Sequence, residues 1–136
     1  MVDMRRIIVV FLFNFYLKLS MCTSVDMRLV ALRKACVAET GIDEAFVEKV
    51  DAEKVLVDDR TLKCYIMCIM KHCGAMSDDG IVDIESVVSN LTDEMKEKLE
   101  PIVRACGAKV GADHCETAWL THSCFLEKGP DVYVFV

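Results

Sequence analysis

The chain has 136 residues and 15.3 kDa, enough for one domain or one domain behind a leader. With 54% hydrophobic and 28% charged residues it is not disordered, and six glycines and two prolines exclude collagen-like and low-complexity classes. A net charge of −6 argues against a general nucleic-acid binder, which needs a basic face to displace counterions.

Residues 1–24 read as a secretory signal peptide. Arg5 and Arg6 precede an apolar run, Ile7 to Phe13, that continues past Asn14 through Phe15-Tyr16-Leu17. Asn14 and Lys18 leave the run short of the roughly 20 apolar residues of a membrane span, so no stable membrane insertion is expected. Cleavage after Cys22 or after Ser24 would leave small residues at the −3 and −1 positions. The leader carries three cations against one anion, so its loss takes the net charge from −6 to −8. The secreted domain is then 25–136, with seven cysteines.

The domain reads as all-α. Residues 25–37 carry an apolar stripe of Met27, Val30 and Leu32. Thr40, followed three residues later by Asp43, resembles a capping box and starts a short helix over 42–50. Residues 51–59 read as a loop and 60–73 as a third helix with Leu62, Tyr65, Ile66, Ile69 and Met70 inward. Ser77-Asp78-Asp79-Gly80 is a turn. Asp83 caps a helix over 84–91 with Ile84, Val87, Val88 and Leu91 on one face. Thr92 caps the next, whose stripe is Met95, Leu99, Ile102 and Cys106. Pro101 lies inside it and should kink or split it. A last helix over 112–127 carries Cys115, Ala118, Trp119, His122 and Phe125, and Gly129-Pro130 stops it. The apolar tail, 130–136, is expected to dock, because exposing its side chains would cost about 1.5–3 kcal/mol each.

Secretion permits disulfides among Cys36, Cys64, Cys68, Cys73, Cys106, Cys115 and Cys124. Any six of the seven allow 15 connectivities, and at least one thiol is left over. Cys64 and Cys68 share a helix face and point the same way, so each more plausibly reaches a different neighbour than the other. A metal reading rests on Cys64, Cys68 and His72 along one stripe, with His114 beside Cys115. The oxidising compartment and the absence of C-x-x-C favour disulfides, so no metal is expected.

Catalytic chemistry is not legible. The sequence has no G-x-S-x-G, P-loop, G-x-G-x-x-G or H-E-x-x-H. His72 and Cys73 are adjacent, so they face different ways on a helix. No catalytic residue and no cofactor is assigned. A small acidic helical domain with more apolar stripes than a minimal bundle needs suits a container for an apolar ligand. The same stripes could also meet in a solid core, and periodicity does not separate the two.

The cysteine spacing is more specific. Cys36, Cys64, Cys68, Cys106, Cys115 and Cys124 are separated by 27, 3, 37, 8 and 8 residues. This pattern resembles the six-cysteine signature of insect odorant-binding and pheromone-binding proteins. Thr40-Gly41-Ile42, Leu62-Lys63-Cys64-Tyr65, Cys115-Glu116 and Tyr133-Val134-Phe135-Val136 are similar to mosquito and fly members. The resemblance implies a compact six-helix domain around an apolar cavity, with pairs Cys36–Cys68, Cys64–Cys115 and Cys106–Cys124. Cys73 and Pro101 depart from the pattern; Cys73 is left as a free thiol or as the bridge of a homodimer.

By position, the resemblance places the ligand-binding wall on Ile84, Val87, Leu91, Met95, Leu99, Ile102, His122 and Phe125. Each is also an ordinary core position. His122 is a candidate polar contact or a hydrogen-bonded core histidine. The ligand would be a small apolar volatile, and an olfactory receptor is a further partner the resemblance admits. Val134 and Phe135 would close the cavity as a lid, with the Val136 carboxylate latched by Arg33 and Tyr65. Because arginine stays charged where relatives can carry a histidine, acid release would come from carboxylate protonation well below pH 6. The implied location is extracellular, in sensillum lymph or another secretory fluid. Asn90-Leu91-Thr92 is a glycosylation sequon, with Asn90 facing out if Leu91 faces the cavity.

Overall fold

The computed structural model describes residues 4, 5, 8, 28–133 and 135. The chain divides into two compact units, Met1–Leu32 and Arg33–Val136. In the first, Met4, Arg5 and Ile8 are helical and exposed. The expected cleavage positions at 22–24 lie outside the described residues. No described helix is long and apolar enough to cross a membrane.

Helical backbone runs over residues 28–40, here α1. Its end differs from the expected one. The Thr40 hydroxyl donates back to the Cys36 carbonyl at 2.6 Å, so Thr40 closes α1 instead of opening the next helix. Gly41, at φ 72°, supplies the left-handed residue that turns the chain. Asp43 then caps α2, Glu44–Glu53, accepting from the Ala45 amide at 2.9 Å. Helix α2 runs through Asp51, beyond the expected boundary, to a left-handed Lys54.

Asp59 caps α3, Arg60–His72, whose inward face is Leu62, Tyr65, Ile66, Cys68, Ile69 and Met70. The turn that follows is closed by a lone bridge between Met76 and Val82. Among the described residues there is no extended strand. Helix α4, Ile84–Ser89, is capped by Asp83. Helix α5, Asp93–Cys106, is capped by Thr92 and is not split at Pro101. The carbonyl that Pro101 leaves unbonded belongs to Glu97 one turn back. Both residues are exposed, so water can satisfy it. Helix α6, His114–Lys128, begins at Asp113, which accepts from the Glu116 amide at 2.9 Å and pairs with Arg60 at 2.6 Å.

The core lies mainly where α3 packs on α6, and α5 packs on both α4 and α6. Tyr65, Leu62, Ile66, Val47, Thr121, Cys36 and Cys106 are fully buried. Thr121 satisfies its hydroxyl by donating to the Thr117 carbonyl at 2.8 Å. Three disulfides staple the helices: Cys36–Cys68 joins α1 to α3, Cys64–Cys115 joins α3 to α6, and Cys106–Cys124 joins α5 to α6. This is the pairing the resemblance implies. Cys73 is the free cysteine among the described residues and is exposed.

Candidate ligand cavity

A cavity of about 220 Å³ opens between α4, α5, α6 and the segment after α6. Helix α4 and its exit contribute Val87 and Leu91, one turn apart. Helix α5 contributes Leu99, Ile102 and Val103, and α6 contributes His122 and Phe125. The remaining wall is Gly129, Val132 and Tyr133. Gly129 matters because a Cβ there would lie 3.0 Å from Val132 and 3.1 Å from Ile102, so its absence lets the chain fold back closely over α5.

Among the described residues the wall is apolar apart from His122 and Tyr133, and no charged side chain lines it. These two meet each other: His122 Nδ1 lies 3.0 Å from the Tyr133 hydroxyl, with the rings nearly perpendicular at 86°. The Phe125 ring meets the His122 ring edge-on at 5.8 Å. Burial pushes the His122 pKa down to about 4, so the ring is neutral at pH 7. Burial, reinforced by the Asp51 charge, holds the Tyr133 hydroxyl well above the usual range, so it keeps its proton.

Six of the expected wall residues, Val87, Leu91, Leu99, Ile102, His122 and Phe125, come together around the cavity. Ile84 and Met95 do not. Ile84 begins a six-residue helix and lies over Gly107, where a Cβ would meet its Cγ1 at 2.6 Å. Met95 sits in the first turn of α5, past the edge of the cavity, and is 45% exposed. Phe135 is buried, but against the Tyr65 ring at 6.1 Å and not on the cavity wall. Val134 and Val136 lie outside the described residues. Arg33 and Tyr65 are neighbours: burial raises the Tyr65 pKa and the Arg33 guanidinium opposes it. Arg33 also faces Asp51 at 4.0 Å.

Sequence reasoning missed Val103, Gly129, Val132 and Tyr133 as wall. Val103 adjoins Ile102, and the cavity is broad enough for both to reach it. The tail residues carry no periodic signal, since their placement depends on a fold-back. A possible metal cluster is also visible. Donor atoms of Cys36, Glu39, Cys68 and His72 lie within 4.8 Å of one another. The two sulfurs are bonded to each other, so they are not thiolates and the set does not suit a metal. His72 instead approaches Glu39 at 3.2 Å.

The PBP/GOBP family model matches residues 24–128. The chain belongs to that family. As a PBP/GOBP member it is 27% identical over 95 residues to general odorant-binding protein 69a of Drosophila melanogaster, covering 70% of this chain and 64% of that protein. The match thus spans less than two thirds of the fly protein's own length. The crystal structure of the locust odorant-binding protein lmigOBP1 from Locusta migratoria superposes with a TM-score of 0.68 at 32% identity, covering 76% of this chain and 80% of that one. Odorant-binding protein 7 of Anopheles gambiae, solved with four disulfide bridges in complex with an azo compound, superposes at 0.67 over 75% of this chain and 83% of its own, with 24% identity. These likenesses agree with the all-α, disulfide-stapled fold of this PBP/GOBP member.

Proposed function

We propose that this chain is an extracellular carrier that holds one small hydrophobic molecule, an odorant or pheromone, between α4, α5 and α6. The observation that carries the reading is the 220 Å³ apolar cavity with a single pair of polar groups on its wall. Its volume is below the roughly 300–1,000 Å³ usual for drug-sized ligands, which points to a smaller guest. Binding would come mainly from burial, at about 25 cal/mol per Å² of apolar surface. Family membership supports the reading, as does an azo compound held by a protein of the same fold. The leader 1–24 would deliver the domain to an oxidising compartment that suits its three disulfides.

In this reading the segment from Gly129 to Phe135 acts as the lid. Val132 and Tyr133 face the guest, and Phe135 anchors the segment in the core beside Tyr65. Acid release in this reading comes from charging His122 on the apolar wall as pH falls, added to the carboxylate protonation expected from the sequence. The test is titration of the oxidised domain with an environment-sensitive apolar fluorophore, followed by displacement with volatiles at neutral and acid pH. We expect saturable one-to-one binding that weakens as pH falls from 7 to 4. Affinity unchanged over that range would remove the release mechanism. No saturable site would remove the carrier reading and point to a protein partner.

A further inference from the structure

We propose that His122 and Tyr133 make the cavity selective for guests carrying one hydrogen-bond acceptor oxygen, as in a ketone, aldehyde or ester, because Tyr133 holds the His122 ring in the form that carries its proton on Nε2. The proposal rests on the carrier reading and names its ligand class.

A neutral imidazole has one donor and one acceptor nitrogen. His122 Nδ1 and the Tyr133 hydroxyl are 3.0 Å apart, so one of them donates to the other. A phenol is a stronger donor than a neutral imidazole, and an imidazole nitrogen is a stronger acceptor than a phenol oxygen. The hydroxyl therefore donates to Nδ1, which leaves the ring proton on Nε2. Nε2 has no hydrogen-bond partner among the described residues. It is not a sealed atom either: the described buried side-chain polar atom without a partner is Ser123 Oγ. Nε2–H is thus the free donor on an otherwise apolar wall.

A guest must answer that donor. A carbonyl oxygen pairs with it. A hydrocarbon of the same shape leaves it unpaired in a dry cavity, which lowers affinity by about tenfold or more. Among the described wall residues a carboxylate finds one neutral donor and no cation, so its desolvation is not repaid. Tyr133 is a positioning residue in this scheme, acting through His122.

The test compares 2-octanone, its methylidene isostere 2-methyl-1-octene, and octanoate as displacers of the apolar fluorophore at pH 7. In the wild type we expect the ketone to outcompete the alkene about tenfold, with octanoate weakest. Tyr133→Phe and His122→Phe should each bring the ketone-to-alkene ratio towards one; a ratio taken within each variant cancels any change in overall affinity. A nitrogen-15 NMR readout of the ring separates positioning from packing. The wild type should show protonated Nε2 and bare Nδ1, and Tyr133→Phe should show a mixture. Equal displacement by ketone and alkene in a wild type that binds the fluorophore overturns the proposal and leaves the carrier reading standing. So does a proton found on Nδ1. A wild type that does not bind the fluorophore at all overturns both.

Discussion

His122 is a basic side chain held neutral by burial, and this has a cost when the solution turns acid. Its pKa falls from 6.5 to about 4 on folding. The unfolded chain therefore takes up the proton first as pH drops. The contribution of neutral His122 to stability is fully present above about pH 6.5 and is lost progressively as pH falls towards 4. A shift of that size corresponds to roughly 3 kcal/mol. His122→Gln cannot titrate, so the stability gap between wild type and variant should move by up to that amount in the variant's favour between pH 7 and pH 4. Urea unfolding across that range measures it; a constant gap would mean that His122 titrates alike in both states. The sequence marked His122 as a wall or core position but could not choose its partner. That partner, Tyr133, comes from a segment with no periodicity to place it.

At the scale of elements, the caps were mostly legible. Asp83 and Thr92 begin α4 and α5 where short polar residues precede apolar stripes. Thr40 was misassigned because its hydroxyl serves the helix before it. Stripes show which faces turn inward, but neither they nor the family resemblance that implies a wall at Ile84 and Met95 fixes where the cavity ends along a helix. The α3–α4 turn gives a sharper test. Gly80 sits at φ 79°, and a Cβ there would strike the His114 ring, which Lys71 approaches at 3.3 Å. Gly80→Ala should therefore destabilise by about 1–3 kcal/mol, through both backbone strain and the clash. Thermal unfolding would detect this, and an unchanged melting temperature would show that the turn relaxes freely. Asn90, the sequon residue, is exposed and donates its side-chain amide to the Ser86 carbonyl at 2.9 Å.

For the whole molecule, the staples set the stability. The closed loops differ in length: 51 residues apart for Cys64–Cys115, 32 for Cys36–Cys68 and 18 for Cys106–Cys124. Loop entropy alone ranks them in that order, from about 4 down to about 3 kcal/mol. Paired Cys→Ala variants should follow this order in denaturant unfolding. The Cys106–Cys124 pair should differ in a second way, because it ties together the two helices that carry half of the cavity wall. Its removal should weaken fluorophore binding at a denaturant-free temperature where the domain is still folded. Binding equal to wild type would show that packing alone holds α5 against α6. The six-helix frame was readable because cysteine spacing and helical period both act locally. The cavity was half readable, because its last wall depends on a terminal segment whose position is decided by tertiary contact.

The protein carries one tryptophan, Trp119, and its surroundings are specific. Its indole N–H donates to the Val57 carbonyl at 3.2 Å, and the Lys63 ammonium sits 4.6 Å from its ring centroid. Lys63 is on α3 and Trp119 on α6, and Trp119 is not part of the cavity wall. Intrinsic emission therefore originates at the seam between these two helices. Its colour and intensity report whether that seam is closed. A guest that enters without disturbing the seam leaves the ultraviolet spectrum unchanged, and a guest that shifts it has moved α3 against α6.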